Sequence, residues 1–211
     1  MADAGCNHIF GRYPSTAHAI WRATGDRGVI SRHLANIVRY VESLATGVRR
    51  TGLANMHTKY GDWLPPPEAP TPSKPLCSAA AFIHDLGLVE EMAAAIGNTT
   101  VAARVSQLRS STASAFNAIW LRNGTYASGR QTELALPLWL GIVPDSARDA
   151  VIDNLVREIE AHEWHVTTGI VGTRALFEAL GLIGRTDVAL RLLTQTSCER
   201  SATRTHAPAP T

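Results

Sequence analysis

Residues 101–119 read VAARVSQLRSSTASAFNAI. Val101, Val105, Leu108, Thr112, Ala115, Phe116 and Ile119 recur three or four apart, the spacing that lines up one face of a 3.6-residue helix. About five turns of such a face predict a long amphipathic α-helix. The same period appears on both sides of it. Leu34, Ile37, Val38, Val41 and Leu44 mark one buried helix face, and Val151, Ile152, Leu155, Val156 and Ile159 another. Leu176, Leu180 and Ile183 mark a further one, with Gly184 as its expected C-cap. Thr186 then reads as the N-cap of a helix carrying Ala189, Leu190 and Leu193.

Short polar breaks at Gly25–Asp26, Asn98–Thr100, Gly141–Asp145 and Gly184–Thr186 suit antiparallel helix hairpins. Leu53–Pro75 is longer. With Pro65, Pro66, Pro67, Pro70, Pro72 and Pro75 it cannot be helical and is expected to be an ordered surface loop. Thr132–Trp139 alternates Leu134, Leu136 and Leu138 around Pro137; it is assigned as a short helix. Trp120, Trp139 and Trp164 are expected in the core. The fold class is therefore all-α, antiparallel helix hairpins with no sheet beyond short strands. Residues 1–196 are expected to form one domain and residues 197–211, which lack large apolar side chains, a disordered tail.

Composition narrows the function. The chain has 211 residues, 45% of them apolar, and a formal net charge of +2. That suffices for one domain with a real core. Scattered Lys and Arg give no electrostatic footprint for nucleic acid. No apolar run approaches the roughly 20 residues of a membrane span, and the N-terminus lacks the order of a secretory signal. Cys6, Cys77 and Cys198 have neither zinc spacing nor a disulfide pattern, which favours a reducing, cytoplasmic setting. The sequons at Asn98 and Asn123 would matter only in a secreted protein. No cofactor motif, phosphate loop or nucleophile elbow is present.

Two segments carry the candidate chemistry. HTKYGDWLPPP, residues 57–67, sets Asp62 and Trp63 before three prolines. Trp63 can plug a bundle end or offer its face to the C–H face of a sugar. Asp62 can cap a neighbouring backbone or accept from a ligand. EWHVTTGIVGT, residues 163–173, holds His165, which can hydrogen-bond within its loop or contact a ligand. His162 and His165 are three apart, but no third metal ligand is placed. Gln131 and Thr132 open a helix, as caps or as site residues. Glu133, Glu158, Glu160 and Glu163 read as a solvated face, without a partner suggesting a carboxylate pair.

Periodicity does not separate an α-solenoid from an (α/α) toroid, although the hairpins lack the self-similarity of a solenoid. Motif order does. Ala23-Thr24-Gly25-Asp26, Lys59-Tyr60-Gly61-Asp62-Trp63-Leu64, Ala115-Phe116-Asn117, Gly129-Arg130-Gln131-Thr132 with Ala135-Leu136, Gly141-Ile142-Val143-Pro144, His165 through Thr173, and Leu192-Leu193-Thr194-Gln195-Thr196 follow one another. In order and spacing, residues 18–196 resemble the six-hairpin domain of bacterial-type α-L-rhamnosidases.

The resemblance implies part of an (α/α)6 toroid, hydrolysis of terminal α-L-rhamnosyl bonds with inversion, and rhamnose-containing glycans or glycosides as ligands. It assigns Trp63 to the wall of the rhamnose pocket; Asp62 and His165 are taken with it as candidate substrate-binding residues. It also marks departures. The family's acid motif, Asp-Glu-Arg/Gly-Trp, has no match before Arg27, where Asp3 and Asp26 are the only acidic residues. Phe10-Gly11-Arg12 stands where the family tends to have Trp-Gly-Asp. The Trp-Glu base motif does not follow Gln195-Thr196, and Glu199 comes too early beside no tryptophan. The expectation is an incomplete catalytic domain with no catalytic carboxylate, no cofactor and no metal. Exposed helix faces then favour self-association.

Overall fold

The computed structural model describes residues 12–56, 61–69 and 71–196. The expected tail 197–211, the stretch before residue 12, Lys59-Tyr60, Pro70, Cys6, Cys198 and Glu199 lie outside the described residues. The elements run α1 (Arg12–Thr24), α2 (Arg27–Thr51), a 3-10 turn (Leu53–Asn55), α3 (Lys74–Ala95), α4 (Thr99–Trp120), β1 (Leu121–Arg122), β2 (Thr125–Tyr126), α5 (Gln131–Trp139), α6 (Asp145–Ala161), α7 (Ile170–Leu182) and α8 (Thr186–Leu193). Among the described residues the fold is all-α apart from one two-stranded ribbon. Among the described residues no helix is long and apolar enough to cross a membrane.

The helices form two layers. α1, α3, α5 and α7 pack side by side in succession; α2 lies against α1 and α3, α4 against α3, α6 against α5 and α8 against α7. Side-chain chemistry explains the division. α3 buries residues around most of its circumference, from Leu76 to Met92 and Ala93, and α5 buries every residue from Gln131 to Leu138. A helix apolar all round must be covered on all sides. α4 buries only Val105, Thr112 and Phe116, one stripe. One core cluster joins α1, α2 and α3 with the start of α4; a second joins α3, α4 and α5 to α8.

The breaks fall where local chemistry stops helices. Asp26 Oδ1 accepts from Gly28 N at 2.7 Å and caps α2. Asn98 Oδ1 accepts from Val101 N at 3.1 Å and caps α4, so the first sequon is a helix cap. Gly184, at φ 76°, ends α7: Arg185 N donates to Leu180 O at 2.8 Å and Gly184 N to Gly181 O at 3.2 Å. The N-cap of α8 is Arg185 rather than Thr186, which is its first helical residue. Pro75 falls in the first turn of α3, where a missing N–H costs no helix bond.

Several expected faces shift. In α8 the buried residues are Val188 and Leu192, while Leu190 and Leu193 face solvent. The i, i+4 pair one residue earlier carries the packing. In α4, Ala115 and Ile119 are exposed. Trp120, Trp139 and Trp164 are half-buried and pack against the core from its edge. Glu133 is not on a solvated face; it is 1% exposed.

The second sequon closes the ribbon. Asn123 and Gly124 adopt φ 49° and 73°, the left-handed pair that closes a two-residue hairpin. Asn154 Nδ2 donates to Gly124 O at 2.7 Å and Thr125 Oγ1 at 2.9 Å, tying the turn to α6. Behind it Tyr126 is buried and donates its hydroxyl to Asn117 Oδ1 at 2.5 Å. The ribbon thus returns the chain from α4 to the start of α5.

Candidate functional site

The first turn of α5 is polar and buried: Gln131, Thr132 and Glu133 are 0%, 2% and 1% exposed. Helix starts leave N–H groups without helix partners, so polar side chains gather there. Here each of the three side chains holds a different loop. Gln131 Nε2 donates to His165 O at 2.9 Å, and its Oε1 accepts from Thr167 N at 3.0 Å. Thr132 Oγ1 donates to Asp62 Oδ2 at 2.5 Å. Glu133 Oε1 accepts from Ser73 N at 2.8 Å; Oε2 accepts from Ser128 N, Ser128 Oγ and Arg130 N at 3.0, 2.8 and 3.2 Å. Thr132 and Glu133 therefore pin the 62–73 segment at both ends, and Gln131 pins the 165–167 segment.

Asp62 is the centre of this arrangement. It is 2% exposed. Besides Thr132, Gly169 N donates to its Oδ2 at 2.7 Å, and Val171 N and Gly172 N to its Oδ1 at 3.0 and 2.9 Å. A carboxylate here faces the positive end of α7 and takes up its free N–H groups from more than a hundred residues away in sequence. Four donors leave it little capacity for a ligand.

Two glycines permit the approach. A Cβ on Gly169 would stand 2.7 Å from Asp62 Oδ1 and 2.9 Å from Trp63 C; one on Gly172 would stand 2.5 Å from Asp62 Oδ2 and 2.8 Å from Thr168 Cβ. The sequence signal was the Gly-x-x-Gly spacing that opens α7.

Trp63 follows directly. Its carbonyl accepts from Ile170 N at 2.8 Å, while the residue is 43% exposed. The backbone is fixed and the ring is offered. Leu64 and Ile170 are exposed next to it. A groove of about 620 Å³ runs from Leu64, Thr168 and Ile170 along α7 to Phe177.

His165 lies at the same end, in the 162–169 loop. Its Nδ1 is 3.1 Å from His162 O. Glu163 and Trp164 hold φ 51° and 64°, unusual for two successive residues with side chains. The Arg191 guanidinium carbon stands 3.5 Å over the Trp164 ring. The structure thus brings Asp62, Trp63 and the His165 loop to one end of the inner helices and adds Gln131, Thr132 and Glu133 beneath them.

Electrostatics set the roles. Cys77, in the first turn of α3, is buried; desolvation first, then Asp62 and Glu133, push its thiol far up, so it stays protonated. Burial also raises the Glu158 carboxyl, with His162 and Arg130 acting against it. Among the described residues no group of three His, Cys, Asp or Glu side chains is placed to hold a metal ion.

Residues 11–201 match the family model of the bacterial alpha-L-rhamnosidase 6 hairpin glycosidase domain. An alpha-L-rhamnosidase of Streptomyces avermitilis is 35% identical over 181 residues, 84% of this chain and 17% of that protein. An alpha-L-rhamnosidase of Alteromonas sp. is 27% identical over 82% of this chain and 20% of its own length. The chain thus spans a fifth or less of the curated relatives' length. The crystal structure of the Streptomyces avermitilis enzyme complexed with L-rhamnose superposes with a TM-score of 0.77 at 33% identity, covering 88% of this chain and 18% of that one. The α-L-rhamnosidase structure from Dictyoglumus thermophilum gives 0.81 at 31% identity, over 88% and 22%. With its paired helices, its two layers and its sequence all in agreement, this chain belongs to the bacterial α-L-rhamnosidase six-hairpin glycosidase family.

Proposed function

We propose that this chain forms one wall of the rhamnose site of an α-L-rhamnosidase, an enzyme releasing terminal α-L-rhamnosyl groups from glycans or glycosides with inversion. The observation that carries the proposal is Trp63: a half-exposed indole on a backbone held by Asp62 and α7. A pre-fixed aromatic face costs little ordering entropy when a sugar docks. The 6-deoxy sugar packs its C–H face and methyl group against the ring. His165 supplies a polar contact across the site, and Asp62 acts by fixing the platform. A relative solved with L-rhamnose supports this choice of ligand.

Inversion needs an acid for the leaving oxygen and a base about 6.5–9.5 Å across the ring. Neither role is proposed for a residue of this chain: Asp62 and Glu133 already have their oxygens occupied by internal donors. A reducing, cytoplasmic setting is proposed from cysteine usage, and self-association through exposed Leu182, Leu190 and Leu193. Sedimentation velocity tests the latter; a monomer at all concentrations would remove it. The ligand choice is tested by NMR titration with L-rhamnose and L-mannose. Tighter binding of L-rhamnose is expected, in the millimolar range, about 4 kcal/mol; equal response to both sugars would count against packing of the methyl group.

A further inference from the structure

Glu163 and Trp164 do not keep their backbone shape by themselves. Two consecutive left-handed residues with side chains persist only where the surroundings over-determine them, and such places cluster at functional sites. The surroundings here are specific. Arg191 covers the Trp164 ring from α8, and the Thr168 and Thr173 hydroxyls meet at 2.8 Å. From beneath, the Gln131 amide meets the backbone on both sides of Val166, donating to His165 O and accepting from Thr167 N.

This last contact has a chemical signature. A backbone C=O and a backbone N–H presented together require one donor and one acceptor, which the planar carboxamide of Gln131 supplies. An ionised glutamate would keep the acceptor for Thr167 N but set its other oxygen against the His165 carbonyl. Methionine would leave both backbone groups unsatisfied in a fully buried position. Asparagine would be a methylene too short. The adjacent residue, Thr132, holds Asp62 and through it the Trp63 loop. Consecutive residues of one rigid helical turn therefore set the two loops relative to each other.

We propose that Gln131 is the positioning residue for His165, a peptide-like clamp that fixes the His165 loop opposite the Trp63 platform. It acts through His165 and is not itself a catalytic residue. The proposal rests on the rhamnose site described above.

The test uses the full chain and the Gln131→Met and Gln131→Asn variants, Asn being the milder change should Met not fold. Three signals are read: His165 imidazole resonances without ligand, the Trp63 indole resonance, and L-rhamnose affinity. The expected result is a shifted His165, an unmoved Trp63 and affinity weakened on the order of fivefold, the value of one hydrogen bond. An unmoved His165 in a folded variant would overturn the clamp. So would Trp63 and His165 shifting together, which would make Gln131 a general packing residue. If the unsubstituted chain does not bind L-rhamnose, the ligand assignment fails, while the two ligand-free resonances still decide whether Gln131 positions His165.

Discussion

Asp62→Ala is expected to lower the melting temperature on the order of 10 °C. The substitution leaves Gly169 N, Val171 N, Gly172 N and the Thr132 hydroxyl facing a buried gap. Each unsatisfied buried group costs about 1–3 kcal/mol, partly recovered if water enters. The loss of an anion at the start of α7 adds a few tenths or more. Relief from burying a charge works in the opposite direction. A net loss of about 4 kcal/mol is expected, and in a domain of this size each kcal/mol moves the midpoint by about 2–4 °C.

Asp62→Asn keeps the shape but turns one acceptor into a donor facing N–H groups, and about half the loss is expected. Gly172→Ala should cost about 1–3 kcal/mol, because its Cβ would enter the space between Asp62 and Thr168. Thermal unfolding followed by circular dichroism checks all three. An Asp62→Ala midpoint within 2 °C of the unsubstituted chain would mean that water replaces the carboxylate.

This centre shows where the sequence was legible and where it was not. The 3.6 period placed the helices, because burying one stripe is a local demand on each segment. It misplaced the α8 face by one residue, since in that short helix Leu190 and Leu193 satisfy the period as well as Val188 and Leu192 do. The Asn123-Gly124 turn carries a local signal, because Asn-Gly is the pair that takes up two successive left-handed conformations. The burial of Glu133 had no such signal. A glutamate three residues into a helix looks the same whether it faces water or, as here, the backbone of Ser73 sixty residues earlier. The role of Asp62 likewise depends on α7, whose N–H groups are close only after the chain has folded.

The second large effect concerns turnover. The 211-residue chain is expected to release no phenol from an aryl α-L-rhamnoside above the uncatalysed rate. Each missing proton-transfer group typically costs 10²–10⁴-fold, and inversion requires two. Asp62 and Glu133 are buried and fully engaged, and Glu163, although exposed beside His165, has no described carboxylate assigned as its partner. Purified protein is assayed beside Glu133→Gln and Glu163→Gln. Turnover that disappears in a variant whose melting curve is unchanged would place that glutamate in the catalytic pair.

The most direct measurement is saturation-transfer NMR with L-rhamnose on the unsubstituted chain and on Trp63→Ala. Trp63 is half-exposed and its carbonyl is held by Ile170 N, so truncating the ring removes the platform and leaves that backbone contact in place. Transfer to the sugar C–H and methyl protons is expected in the first sample and should be lost in the second, which still melts in one cooperative transition. An equal signal from both proteins would contradict a rhamnose site built on Trp63.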